Sequence, residues 1–339
     1  MSDAFISHGK RSAQGNLNFY AQFVPNPIDR FDRDIHECLQ CGMQYIYPMY
    51  ENGDLAVLYD SEGYQRFRNA ISKAALATAA NADANKIDYL NYILERSAAL
   101  GLARHLDTHR QKHKGRAARL LDIGSGEGHE LHAFSAMGFD VTGIDLSDPL
   151  IAEVKRTYGH EVRKIALEDM DTREKFDVVT AFHLIEHLKD PHALFAKVRD
   201  LLNPDGIFLV ETPVAEDGGL TAQRFRDIYH TMFFDHFSLA LLAAKNGFIP
   251  LRMTHRHFHA GTYFHSYMTM VFQYNPVFHA MFGQFETVAI LWMKSILSTL
   301  IEDARDWGRN DLRYRHKLGA EPIRFPTLAT AASEIKQAG

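Results

Sequence analysis

The chain has 339 residues, 46% of them hydrophobic, with 37 basic and 42 acidic side chains and a formal net charge of −5. That is enough apolar material for one large or two modest cores, and the acidic balance supplies no field that would gather nucleic-acid phosphates. The two cysteines, Cys38 and Cys41, make no disulfide framework, the polar first twenty residues lack a signal-peptide core, and no run of 18 uncharged apolar residues reads as a membrane span, so a cytoplasmic protein without a membrane partner is expected.

Three regions are expected: 1–110, 111–275 and 276–339. In the first, a mixed polar stretch of about 34 residues precedes the C-x-x-C pair, and a proline-free, Ala- and Leu-rich segment from Tyr64 to about Arg110 reads as helical. "THRQKHKGRAAR" (Thr108 to Arg119) is a basic connector. In the second region strands and helices alternate. "ARLLDIG", "FDVTGID", "EVRKIAL", "KFDVVTAFH" and "IFLVETP" read as strands, and the segments after Gly128, Ser147 and Asp190 as helices. Such alternation specifies a parallel sheet covered on both faces. A helix from about Asp235 to Asn246 and two paired strands, "FIPLRMTHRHF" and "TYFHSYMTMVFQYN", then finish the sheet. In the third, "ETVAILWMKSILSTLIEDARDW" is a helix with Val288, Ala289, Trp292, Ile296, Leu297, Leu300 and Ile301 on one face, packed on the body or on a second copy as a homodimer.

The glycine turn after the first of these strands carries the functional signal. In "LLDIGSGEGHEL" the glycines are Gly124, Gly126 and Gly128, whereas a dinucleotide fingerprint would place its third glycine where His129 stands. Asp122 precedes the turn, and a carboxylate is a poor neighbour for a pyrophosphate but a good one for an ammonium group. Asp145 ends the next strand 21 residues after Gly124, where a carboxylate can accept both hydroxyls of a ribose. S-adenosylmethionine carries the ammonium and the ribose and no phosphate. A nicotinamide-dependent oxidoreductase, the competing enzyme class, is disfavoured by His129 and Asp122.

With these residues in place, the stretch from Arg119 to Asn275 resembles the class I S-adenosylmethionine-dependent methyltransferases. "FDVVTAFHLIEHLKDPHALFAKVRDLLNPDGIFLVETP" resembles the segment from fourth to fifth strand in the ubiquinone-biosynthesis type, and "HTMFFDHFSLALLAAKNGF" a small-molecule subgroup that also carries a C-x-x-C-G segment. The resemblance implies an α/β, Rossmann-like seven-stranded sheet with its last strand antiparallel and helices on both faces, plus helical additions at both ends. It implies a cofactor seat of Asp122, Gly124, Ser125, Gly126, Gly128, Asp145 and Leu146, with Glu168 towards the adenine and Phe182 and His183 on the methyl-donor side. Members that bind zinc near the N-terminus carry four cysteines; this chain has two, so a degenerate knuckle is expected.

Methyl transfer from a sulfonium is an in-line displacement that needs alignment and, for a protonated nucleophile, a base. Among 19 histidines, His230, then His183, and then His187 are the candidates, because the motifs place them at the cofactor end of the sheet. No metal is assigned, although Glu186 and His187 offer a divalent cation two ligands in a region some relatives use so. His255, His257 and His259 alternate on one strand face, read as a solvated or substrate-facing surface. The expected function is methylation of a small-molecule hydroxyl on a sugar, nucleotide sugar or secondary metabolite. The alternatives are C-methylation of a keto sugar and a non-catalytic methyltransferase-like scaffold, and nucleic acid is not an expected partner. Acceptor specificity is expected in residues 1–110, in the insertion from about Val214 to Asp235, and after Pro276.

Overall fold

The computed structural model describes residues 11–12, 34–38, 41, 43–47, 49, 92–214, 230–260, 263–284 and 286–309. Its elements are β1 (Arg11–Ser12), β2 (Asp34–Glu37), β3 (Gln44–Tyr47), α1 (92–99), α2 (Leu102–Lys112), β4 (Arg119–Ile123), α3 (His129–Ala136), β5 (Asp140–Asp145), α4 (Asp148–Tyr158), β6 (Val162–Lys164), β7 (Phe176–Phe182), α5 (Pro191–Leu201), β8 (Leu202–Pro213), β9 (Met232–Phe233), α6 (His236–Lys245), β10 (Phe248–Ala260), β11 (Tyr263–Tyr274), α7 (Pro276–Gln284) and α8 (Glu286–Arg309).

Seven strands form one sheet in the order β10-β11-β8-β7-β4-β5-β6. Strands β8, β7, β4, β5 and β6 run parallel, and β11 lies antiparallel between β8 and β10. This is the Rossmann-like seven-stranded sheet expected from the sequence, with its last strand reversed. The apolar runs are what a doubly covered sheet demands: β7 is buried at every position. One face packs Leu120, Val178 and Leu209 against Leu102, Leu106 and Phe134 of α2 and α3. The other packs Leu121, Val179 and Val210 with Phe195 of α5, Leu241 of α6 and Met293 and Leu297 of α8. The tail helix therefore docks on the body through Met293 and Leu297, both buried, whereas Leu291 is 62% exposed.

The helix ends follow their sequence signals. Asp190 caps α5 by accepting from the backbone N–H groups of His192 and Ala193. Asp235 accepts from the N–H of Ser238 at α6, and the Ser238 hydroxyl accepts from the N–H of Asp235, a reciprocal capping box. Two details depart from the sequence reading. "EVRKIAL" is a strand only at Val162–Lys164 and then a 3-10 turn at Leu167–Asp169. "NPDG" lies inside β8, which starts at Leu202 opposite Phe176, slips by a bulge, and regains the ladder at Ile207 opposite Val178.

A second sheet, β1-β2-β3-β9, was not legible beforehand. It joins the segment carrying Cys38 and Cys41 to the two residues after Thr231, with Gln44 opposite Phe233 and Tyr45 opposite Met232. Cys38 is buried and Cys41 half-buried, both as free thiols, and burial pushes the Cys41 thiol up to about 12. Such a thiol is neutral and unreactive at pH 7. The expectations for residues 51–91 and 215–229 and for the end of the chain lie outside the described residues. No helix of the described residues is long and apolar enough to cross a membrane.

Candidate functional site

The carboxyl ends of β4, β5, β7 and β8 converge, the place where open α/β sheets take ligands. The glycine turn follows β4. Gly124, Gly126 and Gly128 have φ of 70°, 53° and 75°, a region that costs a residue with a side chain about 1–2 kcal/mol. Gly128 is also a packing requirement, because a Cβ there would meet both methyls of Val154 on α4 at 2.7 Å. Asp145 closes over the turn from β5: one carboxylate oxygen accepts from the Gly126 N–H (2.9 Å) and the other from the Ser147 N–H (2.8 Å). A carboxylate has about four lone-pair sites, so acceptor capacity remains on both oxygens. Ser125 turns its hydroxyl back to the Asp122 carbonyl (3.1 Å). Beside Asp145, the Leu146 side chain is 64% exposed.

Asp122 is buried and accepts from the Thr180 hydroxyl of β7 at 2.7 Å. Burial raises its pKa to about 7, against the hydrogen bond from Thr180 and with the nearby charge of Glu130. Glu130, on the first turn of α3, pairs with Arg96 of α1 at 2.5 Å. Arg96 is itself buried, reaches Glu211 of β8 at 3.0 Å, and stacks its guanidinium 4.1 Å above the Phe182 ring. Glu211 also accepts from Tyr92 and from Thr269, both at 2.5 Å. Phe182, expected beside the methyl donor, is therefore packed under Arg96. Glu168 stands in the 3-10 turn after β6, its carbonyl accepting from Lys197 at 2.7 Å.

The expected histidines are brought together. His183 follows β7 in a left-handed backbone conformation, φ 51°. Its imidazole lies between two carboxylates, with Nε2 3.2 Å from Glu211 and Nδ1 3.6 Å from Glu186. Burial alone would lower its pKa, but the two carboxylates outweigh burial and raise it to about 10. A third of its side chain is exposed, so the carboxylates set the sign. Burial likewise opposes ionisation of Glu186 and Glu211, yet His183 with His187 and His230 holds Glu186, and Arg96 with His183 holds Glu211, well below the usual carboxylate range. His183 is thus an imidazolium at neutral pH, a donor rather than a base. Glu186 extends the cluster, 3.9 Å from His187 Nε2, and the His187 and His230 rings lie 4.8 Å apart. One ligand atom from each of Glu186, His187 and His230 falls within 4.8 Å of the others, the one group of three metal-ligating side chains found among the described residues.

Thr231 fixes this corner. Its N–H donates to the Glu186 carbonyl (2.7 Å), its hydroxyl donates to the Leu188 carbonyl (2.9 Å), and its own carbonyl accepts from the Ile46 N–H of β3 (3.0 Å). The small sheet thereby braces the turn that holds Glu186 and His187. The alternating histidines sit on β10 as read, and His255 lies 4.9 Å ring to ring from His236. Nothing more is described of the side chains at 257 and 259.

Buried Asp122, Glu130, Glu186 and Glu211 face two cations, Arg96 and His183. These carboxylates outnumber the two cations, and a cationic ligand beside Asp122 would favour its ionised form. Sequence reasoning missed Arg96, Glu130 and Glu211. The one local signal was an acid inside an otherwise apolar strand, Glu211 in "IFLVETP".

Comparison with known proteins identifies the family. The methyltransferase domain family matches residues 65–252, more than half of the chain. A ubiquinone biosynthesis O-methyltransferase of Bradyrhizobium sp. (strain ORS 278) is 37% identical over 99 residues, covering 28% of this chain and 39% of the relative. The protein of the same description from Actinobacillus pleuropneumoniae serotype 5b is 35% identical over 121 residues, covering 32% of this chain and 51% of the relative. The chain thus spans less than two thirds of the length of these relatives. Among solved structures, the 1,6-didemethyltoxoflavin-N1-methyltransferase of Burkholderia thailandensis, with bound 1,6-didemethyltoxoflavin and S-adenosylhomocysteine, is 19% identical with a TM-score of 0.43, covering 74% of this chain and 99% of that one.

Proposed function

The chain belongs to the methyltransferase domain family, and from that premise we propose that it transfers a methyl group from S-adenosylmethionine to a hydroxyl oxygen of a small molecule. The observation that carries the reading is the pair of carboxylates around the glycine turn, Asp122 buried at the end of β4 and Asp145 bonded to Gly126 at the end of β5. Asp122 would hold the cofactor's ammonium and Asp145 the ribose hydroxyls, the turn from Gly124 to Gly128 would seat the methionine part, and exposed Leu146, with Glu168, would hold the adenine. The hydroxyl acceptor is supported by the O-methyltransferase names of the relatives.

The reaction needs the acceptor oxygen, the methyl carbon and the sulfur in line, and such alignment is worth about 7–11 kcal/mol. With His183 held as an imidazolium, the base is His230 or His187, and His183 donates or positions. A base of this kind contributes about 10²–10⁴-fold. The test is calorimetric titration with S-adenosylhomocysteine. We expect binding by the wild type, at least about 100-fold weaker binding by Asp145→Ala through loss of two charge-assisted contacts, and no binding of NAD. Failure of the wild type to bind at millimolar concentration would favour the non-catalytic scaffold.

One observation favours a second reading of the acceptor side. The cluster of Glu186, His187 and His230 offers a divalent cation one carboxylate and two imidazoles, a mixed donor set that suits zinc or manganese. A bound ion would act as a Lewis acid on the acceptor oxygen. Titration with manganese, against Glu186→Gln as control, separates the two readings. An ion bound by the wild type and lost in the variant supports the metal, and no binding by either leaves the histidine base. A homodimer through α8 would use its solvent face at Leu291, and sedimentation at micromolar concentration tests it.

A further inference from the structure

His129 stands where a dinucleotide fingerprint would carry its third glycine, and nothing in the proposed chemistry uses it. In the structure it is the first residue of α3, directly after the glycine turn. Its ring reaches in two directions. Nδ1 lies 2.5 Å from the hydroxyl of Tyr158, the last residue of α4, and Nε2 lies 3.0 Å from the carboxylate of Glu127. Glu127 belongs to the turn itself, between Gly126 and Gly128.

One tautomer satisfies both contacts. The neutral Nε2–H tautomer lets the Tyr158 hydroxyl donate to Nδ1 while Nε2–H donates to Glu127, so every polar atom of the chain of contacts is used. Tyr158 is held in turn: His132 stacks on it at 4.4 Å with an interplanar angle of 18°, and His129 meets it edge-on at 79°. The same helix α4 already touches the turn through Val154 at Gly128. The turn therefore has two ties to α4, one by packing and one by the hydrogen-bonded line Tyr158–His129–Glu127, while Asp145 holds it from β5.

We propose that His129 and Tyr158 are positioning residues for the cofactor, tying the glycine turn to the carboxyl end of α4 so that its backbone is preset for the ligand. The inference rests on the reading of that turn as the S-adenosylmethionine seat. Presetting a loop lowers the ordering cost of binding, so its loss appears in affinity and not in global stability.

The experiment is calorimetric titration of the full chain with S-adenosylhomocysteine, joined to amide hydrogen exchange of the ligand-free turn. Tyr158→Phe removes only the hydroxyl and keeps the ring stacked on His132. We expect its affinity to fall about five- to tenfold, roughly one hydrogen bond, with a melting temperature within about 2 °C of wild type. His129→Leu falls equally, the double variant falls no further, and His129→Gln, which can still accept from Tyr158 and donate to Glu127, recovers most of the loss. Exchange at the Gly126 and Gly128 amides quickens in Tyr158→Phe and in His129→Leu. Affinity in Tyr158→Phe within twofold of wild type overturns the proposal, as do additive effects in the double variant. Should the wild type fail to bind S-adenosylhomocysteine, the reading of the seat falls, and unchanged exchange in the turn still decides against the tie on its own.

Discussion

The β4–β5 and β7–β8 halves of the sheet end side by side, yet they are held by opposite means. Around β4 and β5 the candidate cofactor seat is local. It runs from Asp122 to Asp145 in sequence, holds Asp145 by backbone N–H groups, and leaves Leu146 in solvent. Around β7 and β8 the corner is built from charges drawn from α1, α3, β8 and the turn after β7, with a hydroxyl from β11. The first can lose a partner and keep its fold. In the second, Arg96, Glu130, Glu186 and Glu211 are buried with little water to fall back on, so removing one strands its partners.

The largest effect should come from Arg96. Replacing it by methionine keeps the volume of the stem but leaves Glu130 and Glu211 facing each other without their cation. We expect a loss of about 3–5 kcal/mol in urea unfolding, the usual cost of breaking a buried pair from one side. Adding Glu130→Met should recover part of it, because an apolar pair no longer strands a charge at that end. Asp145→Ala, on the other half, should cost less than about 2 kcal/mol while abolishing tight cofactor binding. An Arg96→Met protein as stable as Asp145→Ala would break the contrast.

The second test lies inside the local half. Gly126→Ala and Gly128→Ala both place a side chain at positive φ, about 1–2 kcal/mol each. At Gly126 the nearest foreign atom to the new Cβ is the Gly124 carbonyl at 3.8 Å, so little is added. At Gly128 the Val154 methyls stand at 2.7 Å, and overpacking adds about 1–3 kcal/mol. Thermal melts should rank Gly128→Ala well below Gly126→Ala, and Val154→Ala in the Gly128→Ala background should return the difference.

That contrast also explains what could be read from sequence. The seat was legible because its residues are neighbours: three glycines, an acid before them and an acid at the end of the next strand. Strand and helix order was legible for the same reason, since each element carries its own periodicity and caps, Asp190 and Asp235 among them. The buried network was not. Glu130 reads as an ordinary acid in a helix's first turn, Arg96 as a charge in an Ala-rich helix, and only their fold-made proximity turns them into partners. The small sheet escaped because β9 is two residues long, too short for any pattern. His183 was legible as a site residue, but its proton state depends on Glu211, 28 positions away and invisible to a local reading.

The smallest effect separates the halves by pH. Glu186 and Glu211 are held ionised far below neutrality, so neither titrates between pH 6 and 8. Asp122 does, because burial lifts it to about 7 from 3.8. With the folded value above the unfolded one, the folded state keeps a proton that the unfolded chain has released. The resulting stabilisation is complete below about pH 4 and is lost as pH rises to about 7. A ligand ammonium beside Asp122 favours the carboxylate, so binding expels that proton below pH 7. Affinity for S-adenosylhomocysteine should therefore climb up to tenfold per pH unit, about 1.4 kcal/mol, from pH 6 towards 7 and level off by about 8. Asp122→Asn should bind more weakly at pH 8 and lose this part of the slope. Calorimetry in two buffers of different ionisation enthalpy counts the proton directly. A wild-type slope that survives intact in Asp122→Asn would assign the pH dependence to a group other than Asp122.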